Sequence, residues 1–217
     1  MPVDLAALVD PSSTVVVTME CQRGVIGDLS PFAELCDAAA AGGVLTNGPR
    51  LCEAARVAGV RVLHCTAERR ADGAGSVANC LMLAAASRPR TDDRGIVSGT
   101  PGADLVAEFG PEPADLMVPR VHGLTPFTST SLDQLVRNLG ARTIVVTGVS
   151  LNIGVLGLVI SAVDLGYQVV VASDAVAGVP LAYGRTILDG TIALLATVAG
   201  TDDIVAAWAD HAPEGRG

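Results

Sequence analysis

Residues 142–175 read "RTIVVTGVSLNIGVLGLVISAVDLGYQVVVASDA". Two Val-rich runs, "RTIVVTGV" at 142–149 and "YQVVVASDA" at 167–175, flank an apolar helical pattern over 152–165 that ends on Gly166. A continuous apolar run suits a strand buried on both faces, and a helical crossover returns the chain to a parallel neighbour. Glycine just past the helix supplies the left-handed residue needed to turn into the next strand. The stretch is expected to be a strand–helix–strand unit of a parallel sheet.

The pattern continues outward. "TVVVTM" (14–19), "VRVLHC" (60–65), "DLMVPR" (115–120) and "LLATVAG" (194–200) are further strand candidates. Helical segments near 33–58, 78–87, 102–109, 131–140, 181–193 and 202–209 alternate with them, and Gly59 and Gly140 mark two more helix ends. Such alternation implies an α/β fold with right-handed crossovers. We expect one doubly wound, Rossmann-like domain over residues 1–217, with its core at about 13–208. Its sheet has about six mainly parallel strands, with helices on both faces. The polar, Gly/Pro-containing stretches 68–80 and 87–102 are expected to be loops over one end of the sheet.

Composition narrows the function. The 217 residues are 50% hydrophobic but only 3% aromatic, so Val, Ala and Leu must fill the core. Net charge is −9, all fourteen basic residues are Arg, and no long basic cluster occurs, so a nucleic-acid partner is not expected. The five cysteines form no CxxC pair and are odd in number, which suits reduced thiols in a cytoplasmic protein. No apolar run is long enough to cross a membrane, and "MPVDLAALVDPSS" lacks a signal peptide's basic start. No cofactor is expected.

In open parallel sheets, ligands bind beyond the carboxyl ends of the strands. That rule directs attention to residues 20–24, 64–70, 120–127 and 150–154. They hold Glu20, Cys21, Arg69, Arg120, His122, Phe127, Ser150, Asn152 and Gly154.

These stretches, in this order, resemble the isochorismatase-like hydrolase superfamily, which includes isochorismatases, nicotinamidases and N-carbamoylsarcosine amidases. The match is most extended over "LTPFTSTSLDQLVRNLGARTIVVTGVSLNIGVLGLVISAVDLGYQVVVASDA" (124–175). The family pattern places an Asp after the first strand, a Lys after the third and a nucleophilic Cys after the fourth. The resemblance puts Glu20 at the Asp position, Val121 at or beside the Lys position and Gly154 at the Cys position, and the chain contains no Lys. True isochorismatases resemble nucleophile-free members that cleave a vinyl ether by acid catalysis.

The resemblance therefore implies a hydrolase of a small metabolite that works without a cysteine nucleophile. Glu20 is the leading acid/base candidate: held among apolar strand ends, its carboxyl could stay protonated near neutral pH. Pairing with Arg23 or capping the next turn is the structural alternative. Arg120 could bind a substrate carboxylate bidentately, and His122 could titrate. Arg69 could hold a substrate acid group, and Phe127 looks like the family's pocket-lining aromatic. Ser150, Asn152 and Gly154 would form a turn whose N–H groups face the cleft, with Asn152 either donating to substrate or capping its helix. By resemblance, a non-proline cis peptide joins Val149 to Ser150.

Two alternatives stand beside this reading. One is an inactive homologue that binds a metabolite or partner; the other is an amidase using Cys21. Strand alternation argues against the second, because Cys21 should face a helix if Glu20 faces the cleft. His64 alone makes no metal site. The apolar pattern over 152–166, together with the resemblance, implies a homodimer or homotetramer with that helix at the contact.

Overall fold

The computed structural model describes residues 3–86 and 94–209, and its six strands fall where the apolar runs do. They are β1 (Thr14–Met19), β2 (Arg61–Ala67), β3 (Leu116–Arg120), β4 (Thr143–Val149), β5 (Gln168–Ala177) and β6 (Thr197–Ala199). The order is β3-β2-β1-β4-β5-β6, and neighbouring strands are parallel throughout. β1 and β4 lie side by side at the centre, buried along their whole length, so each needs an apolar layer on both faces.

Alternation along the strands supplies two cores. Val16 of β1 packs toward the helices Ala33–Ala41, Val44–Val57 and Thr201–Ala209. Val15, Val17 and Met19 face the helices Leu132–Asn138 and Leu156–Asp164. The order reverses between β1 and β4, because the chain builds β2 and β3 on one side before returning to lay β4 on the other. That reversal opens a crevice at the carboxyl ends of β1 and β4. Gly148 keeps the two strand ends close: its φ is +113, and a side chain there would run into the Met19 carbonyl.

Three expected helices differ. The segment 33–58 divides at Gly42 and Gly43, where Gly43 has φ +74 and lies against the Asp174 carbonyl, leaving no room for a Cβ. The segment 102–109 yields only the short turn Ala107–Phe109. Residues 102–104 form a turn and Leu105 bridges Gln22 in the chain leaving β1, with Arg23 N donating to Asp104 O and Val106 N to Cys21 O. The segment 181–193 is helical from Leu181 to Ile187, then widens into a π-helical turn at Leu188–Ile192. Of the expected loops, residues 87–93 lie outside the described residues.

The helix Leu156–Asp164 also corrects an expectation. Val159 is 0% exposed in its own chain's core, so its face is not available for a subunit contact, whereas Ile160 is 44% exposed. Val159→Glu should therefore cost at least about 3 kcal/mol in urea denaturation, since it buries an unpaired charge. Ile160→Glu should stay within about 0.5 kcal/mol of the parent. Equal losses would show that the faces are wrongly assigned.

Candidate active site

The chain leaves β1 under constraint. The Glu20 amide donates to the Cys65 carbonyl at 2.8 Å, and Glu20 then takes φ +54, a left-handed conformation that a residue with a side chain holds only where its surroundings enforce it. Gln22 does much of the enforcing. Its buried amide donates to the Ala67 and Ala103 carbonyls, both at 2.9 Å, and its oxygen accepts from Ala67 N at 2.7 Å. The loop after β1 is thus tied to the end of β2.

Arg120 ends β3, two strands away from β1. Its side chain crosses the end of β2, and Nη2 donates to Glu20 Oε1 in an ion pair. Nε donates to the Gly123 carbonyl at 3.0 Å. Arg120 is 4% exposed and the Glu20 side chain 19% exposed, so solvent reaches the pair from the carboxylate side. Nη1 is buried and has no hydrogen-bond partner among the described residues. Arg23 is not the partner of Glu20, because Asp28 holds it at 2.7 Å. His122 follows on an exposed turn and is not brought onto the pair.

The expectation for Glu20 changes accordingly. Its neighbour is a guanidinium, which offers only donors, and not the apolar surroundings expected of it. The expectation of a bidentate fork at Arg120 changes too, since Nε and Nη2 already have acceptors.

At the end of β4 the Val149–Ser150 peptide is cis, as the resemblance implied. Gly154 is buried in the first turn beyond it, and a Cβ there would come within 2.8 Å of Met19 Cε. The Met19 side chain therefore fills the space in which a side chain at 154 would start. Ser150 and Asn152 hold the turn together. Ser150 Oγ donates to Asn152 Oδ1 at 2.7 Å, and the Asn152 amide exchanges hydrogen bonds with the Val179 backbone, both at 3.3 Å. Asn152 thus neither caps the helix nor offers these atoms to a ligand.

Other expected groups sit apart. Phe127 stacks on Tyr167 at 6.0 Å; Tyr167 precedes β5, so the pair lies toward the amino ends of the strands and not in the crevice. Arg69 Nη1 donates to the Ala86 carbonyl at 3.3 Å. Cys21 is fully buried, and burial pushes its thiol well above the usual range, the opposite of an activated nucleophile. Cys65, beneath the pair, is likewise pushed up to about 12 by burial.

His64 belongs to a closed network under the helix Val44–Val57. Its Nδ1 meets Thr18 Oγ1 at 2.8 Å, its Nε2 meets Asp115 Oδ2 at 3.1 Å, and Arg56 holds Asp115 at 2.8 Å. A neutral ring with its proton on Nε2 serves both contacts. Burial pushes the His64 pKa below its ordinary value, with Asp115 offsetting only part of the effect.

A cavity of about 490 Å³, lined in part by Gly43, Asn47, Leu151, Asp174 and Arg185, opens beside β5 and does not include the ion pair. The Asp174 carboxylate is already engaged by Thr201 and Asn47, and no acid/base pair lines that cavity. No group of three or more His, Cys, Asp or Glu residues that could hold a metal occurs among the described residues. No helix among them is long and apolar enough to cross a membrane.

Comparison with known proteins agrees with this fold. The isochorismatase domain matches residues 14–203, and the chain belongs to the isochorismatase family of hydrolases. It is 30% identical over 176 residues to a ureidoacrylate amidohydrolase (RutB) of Pseudomonas savastanoi pv. phaseolicola, covering 76% of this chain and 71% of that protein. An isochorismatase family protein from Desulfovibrio vulgaris superposes with a TM-score of 0.74 at 26% identity, covering 89% of this chain and 98% of that one. A cysteine hydrolase from Pseudomonas syringae pv. phaseolicola shares the fold with a TM-score of 0.79 at 21% identity, covering 94% and 96%.

Gln22 and Met19 were not singled out in the sequence. Gln22 carried one signal, an amide just past the end of an apolar strand; Met19 carried none, because a buried methionine looks like any core residue. Two measurements check the geometry. Ellman's reagent should titrate exposed Cys80 at once and Cys21, Cys52 and Cys65 only after unfolding; a fast second thiol assigned to Cys21 would contradict its burial. Stability should fall as pH drops below about 6.5, because the unfolded chain binds the His64 proton first and the folded chain resists it. His64→Gln should flatten that slope in urea melts at pH 5 and 7.

Proposed function

We propose that this hydrolase cleaves a carbonyl C–N bond of a small metabolite, with Glu20 as general base and then general acid, and without a cysteine nucleophile. The observation that carries the reading is the Glu20/Arg120 ion pair at the carboxyl end of the sheet, beside the β1/β4 crevice. A guanidinium partner favours the ionised form that a general base needs, at the cost of weakening that base. This favours water attack on a carbonyl over protonation of a vinyl ether, the other C–O/C–N cleavage considered. The relatives named ureidoacrylate amidohydrolase make a small ureide the first substrate to try.

Met19 beside Gly154 and the burial of Cys21 support a mechanism in which water, not a thiol, attacks. Water would add to the carbonyl carbon as its proton passes to Glu20. The tetrahedral intermediate would then expel the amine, which takes that proton back. Glu20 ends ionised, as it began.

Glu20→Gln should lower kcat on ureidoacrylate, or on whichever small amide or ureide the enzyme turns over, by at least about 100-fold. The same change leaves a buried guanidinium facing a neutral amide, so it should also cost about 1–3 kcal/mol of stability. Full turnover by a folded Glu20→Gln enzyme would remove Glu20 from the mechanism. Inactivity of the parent across amides, ureides and vinyl ethers would favour a binding protein instead.

A further inference from the structure

We propose that Arg120 Nη1 donates to the oxygen of the reacting carbonyl, and that the Glu20/Arg120 pair makes this position selective for a neutral carbonyl over a carboxylate. The inference rests on the reading above and names the group that the site recognises. A buried guanidinium nitrogen without an acceptor is uncommon, because each unmade bond to a charged group is costly. Here Nε has Gly123, Nη2 has Glu20 and Nη1 has none. The unmet donor sits on the same planar group that holds the proposed base, so a carbonyl oxygen on Nη1 would bring its carbon near Glu20.

Charge decides which oxygen fits. Glu20 already neutralises Arg120, and Glu68 lies nearby, its amide donating to the Arg120 carbonyl at 2.8 Å and its carboxylate within 3.5 Å of Thr66 Oγ1. A ligand carboxylate on Nη1 would add a second anion beside Glu20, and like charges at that range repel. A neutral amide or ureide oxygen meets no such repulsion, and the donor gains strength as that oxygen becomes negative in the tetrahedral intermediate.

Propionamide and propionate, nearly equal in shape, form the probe pair. In ligand-observed NMR titrations at pH 7, the parent protein should bind propionamide saturably and propionate at least about tenfold more weakly. Arg120→Gln should weaken propionamide at least about tenfold. Glu20→Gln, which keeps Arg120 but removes the neutralising charge, should reverse the preference toward propionate, and so provides a test that does not depend on Arg120→Gln folding. Equal binding of the two probes by the parent, no saturable amide binding, or an unreversed preference in Glu20→Gln would overturn the proposal. Loss of selectivity with turnover still dependent on Glu20 would sink the role of Arg120 alone; selectivity with turnover independent of Glu20 would sink the base assignment alone.

Discussion

A single ion pair ties three strands together at the carboxyl edge of the sheet. Arg120 reaches from β3 across β2 to a carboxylate that extends β1 by one residue. Both ends are fixed independently. Glu20 is held by its amide on Cys65 and by the Gln22 clamp on Ala67, and Arg120 by its own contact with Gly123. Because neither partner can move freely, the pair keeps its geometry at the edge of the crevice, and the remaining donor on Arg120 keeps a fixed direction. Such preorganisation makes a charged pair useful to catalysis rather than merely stabilising.

The turn after β4 completes the crevice from the other side. Gly148 lets it approach β1, Asn152 and Ser150 pin it to Val179, and Met19 fills the space beside Gly154. These contacts share one effect: they make a rigid wall and place no nucleophile on it. The buried thiols of Cys21 and Cys65 do not replace one, since burial raises both and a thiolate there would be desolvated. The proposed mechanism accordingly takes water as the attacking group and Glu20 as the residue that activates it.

Much of the fold was legible in the sequence, because strands buried on both faces must be apolar along their length and the chain writes them so in "TVVVTM" and "RTIVVTGV". The placement of Glu20 and Arg120 at strand ends was legible as well, because polar residues there stand out against such runs. Their mutual contact was not, since it joins residues a hundred positions apart across an intervening strand. The break at Gly42 and Gly43 and the loss of helix over 102–109 depend on the Asp174 carbonyl and on the chain after β1, partners that no local pattern reveals. Phe127 and Asn152 misled for a related reason. An aromatic and an amide near a strand end suit a pocket, but Tyr167 and Val179 engage them first.

The central claim is that water, activated by Glu20, attacks the substrate without a covalent enzyme intermediate. Turnover in water enriched in ¹⁸O, followed by acid quench and mass spectrometry of protein and product, tests it most directly, with a small amide whose carboxylic-acid product keeps its oxygens as the substrate. The account predicts one ¹⁸O in the carbonyl-derived product, an enzyme of unchanged mass in the quenched steady state, and no ¹⁸O in the peptide containing Glu20. An acyl adduct on Cys21 or any other thiol, or label incorporated into the Glu20 carboxylate, would contradict it.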